Sequence, residues 1–156
     1  MGDPPGSELL GKTLGIVGLG ATGCAFARVA RGFGMDVIAT RRTPGTAASD
    51  ADVSWTGGPN DLDALLARSD YVSLNVPASS ETRGLIDAAR LARMKPTACL
   101  LNLGRGELVD RAALLDALRG RRIAGAGLAV YWDAPPDPDD ALFRLGFSPL
   151  PGAEVE

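Results

Sequence analysis

The sequence predicts an α/β fold: a doubly wound parallel sheet of about six strands with helices on both faces. Short apolar runs alternate with stretches whose apolar residues recur at helical spacing, which is the order of a strand–helix repeat. The apolar runs are also too continuous to leave one face wet, so the sheet is expected to be covered on both sides. A chain of 156 residues, 46% apolar and 22% charged, is long enough to bury one real core.

Residues 1–11 read as a polar lead-in, 12–145 as one folded domain and 146–156 as an irregular tail. Leu14 to Val17 is a short strand that runs into a glycine turn. A helix follows, with Ala25, Phe26, Val29 and Ala30 at helical spacing, and stops near Gly32 and Gly34. Val37 to Ala39 is a second strand, followed by a polar loop from Arg41 to about Asp52. A weak strand at Val53 to Trp55 leads through the turn signal TGGPN to a helix from Asp61 to Arg68, with Leu62, Leu65 and Leu66 on one face. Tyr71 to Val76 is a strand ended by Pro77, and Asp87 to Met94 a helix closed off by Pro96. Ala98 to Asn102 is a strand ended by Gly104 and Gly106. Asp110 caps a helix to about Arg119 with Ala113, Leu114, Ala117 and Leu118 inward, and Ile123 to Val130 is the last strand. Beyond Ala134 come an acidic turn-rich loop, the apolar stub LFRL and no further periodicity.

Composition excludes several functions. Sixteen basic against nineteen acidic residues, net charge −3, argue against a nucleic-acid partner. No apolar run approaches the ~18 residues of a membrane span. The start, MGDPPGSE, lacks the basic and apolar regions of a signal peptide, so a cytoplasmic protein with no membrane partner is expected. Cys24 and Cys99 have no metal-ligand spacing; they read as buried thiols in a reducing compartment, and no metal site is expected. The chain has no histidine, which excludes any mechanism needing an imidazole of its own.

Two glycine motifs compete. GSELLGKT, Gly6 to Thr13, satisfies the phosphate-loop pattern, but that loop needs a strand before it and a helix after it. Only MGDPP precedes Gly6, and a strand follows Lys12, so the segment reads as a lead-in. GLGATG, Gly18 to Gly23, matches G-x-G-x-x-G and has the right setting, directly after a strand and opening a helix. Gly18 permits the tight turn, Gly20 lets the backbone approach a pyrophosphate, and Gly23 removes the side chain that would separate helix from strand. The anion would rest on unpaired N–H groups at the helix start.

The residue ending the second strand should choose between NAD and NADP. Asp36 begins that strand and is a decoy. At its end stand Thr40, Arg41, Arg42 and Thr43; two guanidiniums and two hydroxyls suit a 2′-phosphate through forked, charge-assisted bonds, which favours NADP over NAD.

The blocks GKTLGIVGLG, LLARSDYVSLNVP, ETRGLI, MKP, NLGRGELVD and RIAGAGLAVY, in that order over roughly residues 10–145, resemble the NAD(P)-binding Rossmann-type domain of the D-isomer-specific 2-hydroxyacid dehydrogenases. The resemblance implies that Ala21 and Thr22 sit at the pyrophosphate and that Arg41 replaces the acid many members use for the adenosine ribose. It puts Val76 and Pro77 on the adenine side with Thr82 nearby, and Leu103 and Gly104 along the nicotinamide ribose. Arg105 falls on the family arginine that binds the substrate carboxylate and polarises its carbonyl. Members commonly pair through this domain, which implies a homodimer.

Departures from the family are as informative. The aspartate that faces the nicotinamide is replaced by Ala129, and the glutamate of a Glu–His pair by Ala134. The family's histidine belongs to a segment after a further strand, where these residues have SPLPGAEVE instead. The family's second lobe, which completes the cleft for a small 2-hydroxy or 2-oxo acid, has no counterpart in these residues. Three readings are open: the cofactor lobe of an oxidoreductase, silent as an isolated chain; a dinucleotide-binding regulatory or interaction module; and a truncated or frame-shifted product without function.

Overall fold

A computed structural model describes residues 8–43, 52–132 and 139–144. Six strands, β1 (Thr13–Val17), β2 (Asp36–Thr40), β3 (Trp55–Gly57), β4 (Tyr71–Leu74), β5 (Cys99–Asn102) and β6 (Gly125–Leu128), form one sheet ordered β3-β2-β1-β4-β5-β6. Every pairing is parallel. The fold is therefore the doubly wound Rossmann-type α/β sheet. Its strand order reverses between β1 and β4, which opens a crevice at their carboxyl ends.

Among the described residues four α-helices lie between strands, α1 (Ala21–Gly32), α2 (Leu62–Arg68), α3 (Ala88–Leu91) and α4 (Arg111–Arg119), and α5 (Ala141–Arg144) follows β6. The described side chains bury in two clusters. Leu62, Leu65 and Leu66 of α2, Leu91 of α3 and Leu114 and Ala117 of α4 pack with Ile38, Val72, Leu74 and Leu100 on one face. Ala27 and Ala30 of α1 pack with Leu14, Ile16, Val37 and Ala39 on the other. Asp110 caps α4 as expected, accepting from Ala113 N, and Asp87 caps α3 in the same way from Arg90 N, both at 2.9 Å, whereas Asp61 starts α2 without a side-chain cap bond.

On the α1 face, burial fades across the sheet. The register places Val37, Leu14, Tyr71, Cys99 and Gly125 in one row. Val37 and Leu14 are buried, whereas Tyr71, Cys99 and Gly125 are only partly so. Both cysteines are free and partly exposed, a departure from the buried thiols expected from the sequence. Cys99 lies on the half of this face that α1 does not reach.

Helix α1 also differs from its sequence pattern. Ala25 and Val29 face outward, Val29 being 55% exposed, and Phe26 is half-buried. The inward stripe is Gly23, Ala27 and Ala30. A helix this close to β1 selects for the smallest side chains, so of the four residues in the apolar pattern only Ala30, and Phe26 in part, belong to the inner face.

Several boundaries move. The third strand starts at Trp55 rather than Val53, since its ladder with β2 begins at Trp55–Ile38, although Ser54 N already donates to Val37 O (2.8 Å). The fourth ends at Leu74, although Asn75 N still donates to Val17 O at 2.8 Å. The third helix stops at Leu91, ahead of the turn that leads to Pro96, and β6 is shorter than the apolar run 123–130 that announced it. The stub LFRL begins inside α5, where Leu142 is buried. Lys12 leads directly into β1, so the phosphate-loop pattern lacks its helix. Gly6, Ala134 and the tail 146–156 lie outside the described residues. No helix among the described residues is long and apolar enough to cross a membrane.

Candidate functional site

The turn between β1 and α1 is built by three glycines with different tasks. Gly18 has φ +99°, a conformation that side chains resist, and a Cβ there would come within 2.6 Å of Val76 Cγ1 and 3.0 Å of the Asn75 carbonyl carbon. A Cβ on Gly23 would lie 2.4 Å from Gly18 O. Gly20 is the opposite case: nothing stands within 4 Å of its Cβ position, so this stretch of backbone faces open space. Gly20 also serves as N-cap of α1 without a side-chain cap bond, and the next two residues, Ala21 and Thr22, are exposed. The N–H groups of a first helical turn have no partner within the helix, and here no side chain takes them. Thr40 O fixes the turn to the second strand by accepting from Gly18 N (3.0 Å) and Leu19 N (3.1 Å).

A cleft of about 820 Å³ opens at these carboxyl ends. Gly18 and Gly20 lie at its base, Arg41, Arg42 and Thr43 along one side, and Val76, Pro77 and Thr82 along the other. Eight of the sequence-derived candidates thus meet at one opening. Arg41 is tied to β3 by its backbone, N–H to Gly57 O at 3.0 Å. The Thr82 hydroxyl is occupied by its own loop, donating to Pro77 O (2.7 Å) and accepting from Ser79 N (2.8 Å), so it shapes the Pro77 wall.

Leu103, Gly104 and Arg105 do not line that cleft; they form an adjoining strip after β5. A Cβ on Gly104 would sit 3.1 Å from Val76 O, so strip and cleft share a border. Leu103 is 41% exposed, high for a leucine beside a core strand. Arg105 is exposed and its Nη1 donates to Gly104 O at 2.9 Å. Behind the strip, Gly84 N and Ile86 N donate to Glu107 O and Leu108 O at 2.7 and 2.9 Å, zipping the ETRGLI segment to the GRGELVD loop.

Two asparagines escape a reading of the sequence. Asn102 is fully buried; its Nδ2 donates to Arg105 O (2.9 Å) and its Oδ1 accepts from Gly104 N (3.2 Å). Its own carbonyl accepts from Ala129 N at 3.1 Å, joining the end of β6 to the same hub. Asn75 lines the cleft and donates to Ser73 Oγ at 2.9 Å, while its buried Oδ1 has no partner among the described residues. An asparagine at a strand end is the one signal the sequence offers for either, and by itself it does not separate a pin from a surface residue.

Two of the groups with displaced pKa values, Tyr131 and Asp140, follow β6. Burial raises the Tyr131 phenol and the Asp140 carboxylate raises it further. Burial also pushes on Asp140, but the Arg111 guanidinium and the Leu142 N–H outweigh it and hold the carboxyl below its usual range. Arg111 Nη2 meets Asp140 Oδ2 at 2.6 Å, which fastens α5 to the start of α4.

Comparison with known proteins agrees with this geometry. The sequence profile described as D-isomer specific 2-hydroxyacid dehydrogenase, NAD binding domain, matches residues 1–146. A glyoxylate reductase of Korarchaeum cryptofilum is 44% identical over 143 residues, 90% of this chain and 41% of that one. The crystal structure of a glyoxylate reductase from Paecilomyes thermophila superposes with a TM-score of 0.80 at 37% identity, over 88% of this chain and 40% of that one. A D-isomer specific 2-hydroxyacid dehydrogenase from Lactobacillus delbrueckii ssp. bulgaricus, in its NAD-complexed form, gives a TM-score of 0.74 at 35% identity, covering 80% and 37%. The chain therefore spans about two fifths of the length of such relatives, and the matched part is their nucleotide domain.

Proposed function

Since the chain belongs to the D-isomer specific 2-hydroxyacid dehydrogenase family and comprises its NAD-binding domain, we propose that the 820 Å³ cleft holds the dinucleotide of an oxidoreductase acting on a small 2-hydroxy or 2-oxo acid, with NADP preferred over NAD. The single observation that carries the reading is the open backbone at Gly20, next to a helix start that no side chain caps. The residues present fit such a group: open space at Gly20 would be filled by any Cβ, and the orphaned Asn75 Oδ1 offers an acceptor at the cleft.

In this reading, the amides of Ala21, Thr22 and Gly23 receive the diphosphate, aided by the positive end of α1. Arg41, Arg42 and Thr43 take the adenosine ribose and its 2′-phosphate, and Val76 and Pro77 supply the apolar wall for the base. Leu103 and Gly104 flank the second ribose. Bound there, the nicotinamide supplies hydride transfer. Arg105, a permanent planar donor, would hold the acid's carboxylate and polarise its carbonyl once a second lobe closes the site.

The chain has no imidazole and carries alanine at 129 and 134, so the family's Glu–His pair for proton transfer to the substrate oxygen has no counterpart within these 156 residues. General acid–base catalysis is worth about 10²–10⁴-fold. We therefore expect the chain alone to bind dinucleotide and to leave glyoxylate and hydroxypyruvate unreduced. The test is a fluorescence titration with NADPH and NADH, Arg41→Asp serving as specificity control, alongside an assay of NADPH oxidation. Equal affinity for both cofactors removes the NADP preference; turnover abolished by Arg105→Ala would show that the isolated chain is catalytically active after all.

The replacements at 129 and 134 fall inside the matched region, and they favour a second reading, a dinucleotide-dependent regulatory or interaction module. Its mark would be partner capture that changes with added NADP(H).

A further inference from the structure

The backbone of Arg41 depends on a carbonyl at the edge of the sheet. Arg41 N donates to Gly57 O at 3.0 Å, just past Thr40–Gly57, the last pair of the β2–β3 ladder. Beyond that bond the chain turns away to line the cleft with Arg41, Arg42 and Thr43. The acceptor stands in an unpromising place. β3 is three residues long, lies at the end of the strand order, and its Gly57 is followed by Gly58. Two successive glycines carry the least conformational preference of any dipeptide, and an edge strand has a partner on one side only. A carbonyl there would wander unless something else fixed it.

Trp55 does the fixing. Its side chain shares a face of β3 with Gly57, and the indole lies along the strand over that glycine. A Cβ at position 57 would run into Trp55 Cη2 and lie 2.8 Å from Trp55 Cζ2. The Arg68 guanidinium covers the ring from the end of α2, 4.9 Å from its centroid. Asp61 closes the next flank: its Cβ is 2.7 Å from the same position, and its Oδ2 accepts from Gly58 N at 2.8 Å. Gly57 is buried among these neighbours. Trp55 itself is not a wall of the cleft; it packs against the core on the α2 side.

We infer that Trp55 is a positioning residue for recognition of the 2′-phosphate: its ring holds Gly57, whose carbonyl sets the Arg41 backbone, and so governs how strongly the cleft prefers NADP. The inference rests on the dinucleotide and NADP reading above. Selectivity is then controlled from β3, by a side chain that touches no part of the ligand. Loosening one backbone hydrogen bond is worth about threefold to tenfold in an equilibrium, which bounds the effect of removing the ring.

The test uses two ligands that differ in a single group, ADP-ribose and 2′-phospho-ADP-ribose. Each is titrated calorimetrically into the intact chain and into its Trp55→Leu and Trp55→Phe variants. The parent should bind the 2′-phosphate form more tightly. Trp55→Leu should lower that preference about threefold to tenfold and leave ADP-ribose affinity unchanged. Trp55→Phe, which lacks the ring atoms that meet Gly57, should lower it in the same direction. The Arg41 amide should exchange faster with solvent in both variants, while the amides of β1 keep their protection. In an Arg41→Gln background, Trp55→Leu should change the preference no further, because the tryptophan acts through that arginine. A preference that both variants retain, two ligands weakened by the same factor, or an additive effect in Arg41→Gln overturns the inference. If Trp55→Leu does not fold, Trp55→Phe decides alone. Equal binding of the two ligands by the parent removes the NADP preference and the inference with it, whereas failure to bind ADP-ribose at all overturns the dinucleotide reading itself.

Discussion

Asn102 holds Arg105 in place from behind: its buried Nδ2 donates to the Arg105 carbonyl at 2.9 Å while its Oδ1 accepts from Gly104 N at 3.2 Å. A single carboxamide thus satisfies one donor and one acceptor of a loop that leaves the sheet. Asn102→Ala should strand both groups and cost about 1–3 kcal/mol in urea unfolding. Asn102→Asp keeps the acceptor but buries a charge where the donor was, and should be at least as damaging. A midpoint unchanged in both variants would show that the loop is held by other contacts.

The opposite end of the sheet is pinned by Asp70, whose Oδ2 accepts from Thr13 N and whose Oδ1 meets Lys95 Nζ, each at 2.9 Å. Burial pushes the Asp70 carboxyl upward, but the Thr13 N–H and the Lys95 ammonium together prevail and hold it below the ordinary value. A depressed folded pKa means that the stabilisation is fully present above the unfolded pKa of about 4 and is lost as pH falls through the folded value. Asp70→Asn should therefore be less stable than the parent by roughly 1 kcal/mol at pH 7. The gap should narrow steadily below about pH 4, as followed by urea unfolding across a pH series. A gap independent of pH would place the effect in packing rather than ionisation.

Much of this was legible in the sequence, for identifiable reasons. The parallel sheet was readable because Leu14–Val17 has no polar side chain and Tyr71–Leu74 has Ser73 alone, and the glycine turn because G-x-G-x-x-G stood between strand and helix signals. Leu62, Leu65 and Leu66 announced the inner face of α2 by being large as well as periodic. The inner face of α1 was hidden because close packing on β1 requires Gly23, Ala27 and Ala30, which a hydrophobic pattern undervalues beside Phe26 and Val29. Asn75 and Asn102 were hidden for a different reason: their importance lies in partners 2–3 residues away across a bend, which only the folded backbone brings into reach.

Gly20 and Gly23 separate binding from folding within one turn. A methyl group on Gly20 meets nothing within 4 Å, so Gly20→Ala should keep its melting temperature. It should nonetheless weaken NADPH roughly tenfold, about 1.4 kcal/mol, because the methyl occupies the space offered to the diphosphate. The same methyl on Gly23 would sit 2.4 Å from Gly18 O, backbone that cannot yield without lifting α1 from β1. Gly23→Ala should cost about 1–3 kcal/mol of stability as overpacking and lose affinity as a consequence. Identical stability and affinity profiles for the two variants would contradict this division.

Thr82 offers the corresponding test on the far wall. Its hydroxyl donates to Pro77 O at 2.7 Å and accepts from Ser79 N at 2.8 Å, so the oxygen is engaged by the loop and has little left to offer a ligand. Thr82→Val preserves shape and removes both bonds; the Pro77 wall should loosen, and dinucleotide affinity should fall several-fold for about 1 kcal/mol lost per bond. Thr82→Ser retains the hydroxyl and should bind like the parent. Because the wall faces the base, ADP-ribose should weaken in Thr82→Val by the same factor as NADPH. Nicotinamide mononucleotide, which has no base to rest there, should be unaffected. If instead the serine variant failed to restore binding, the threonine methyl rather than its hydroxyl would be what the cleft requires.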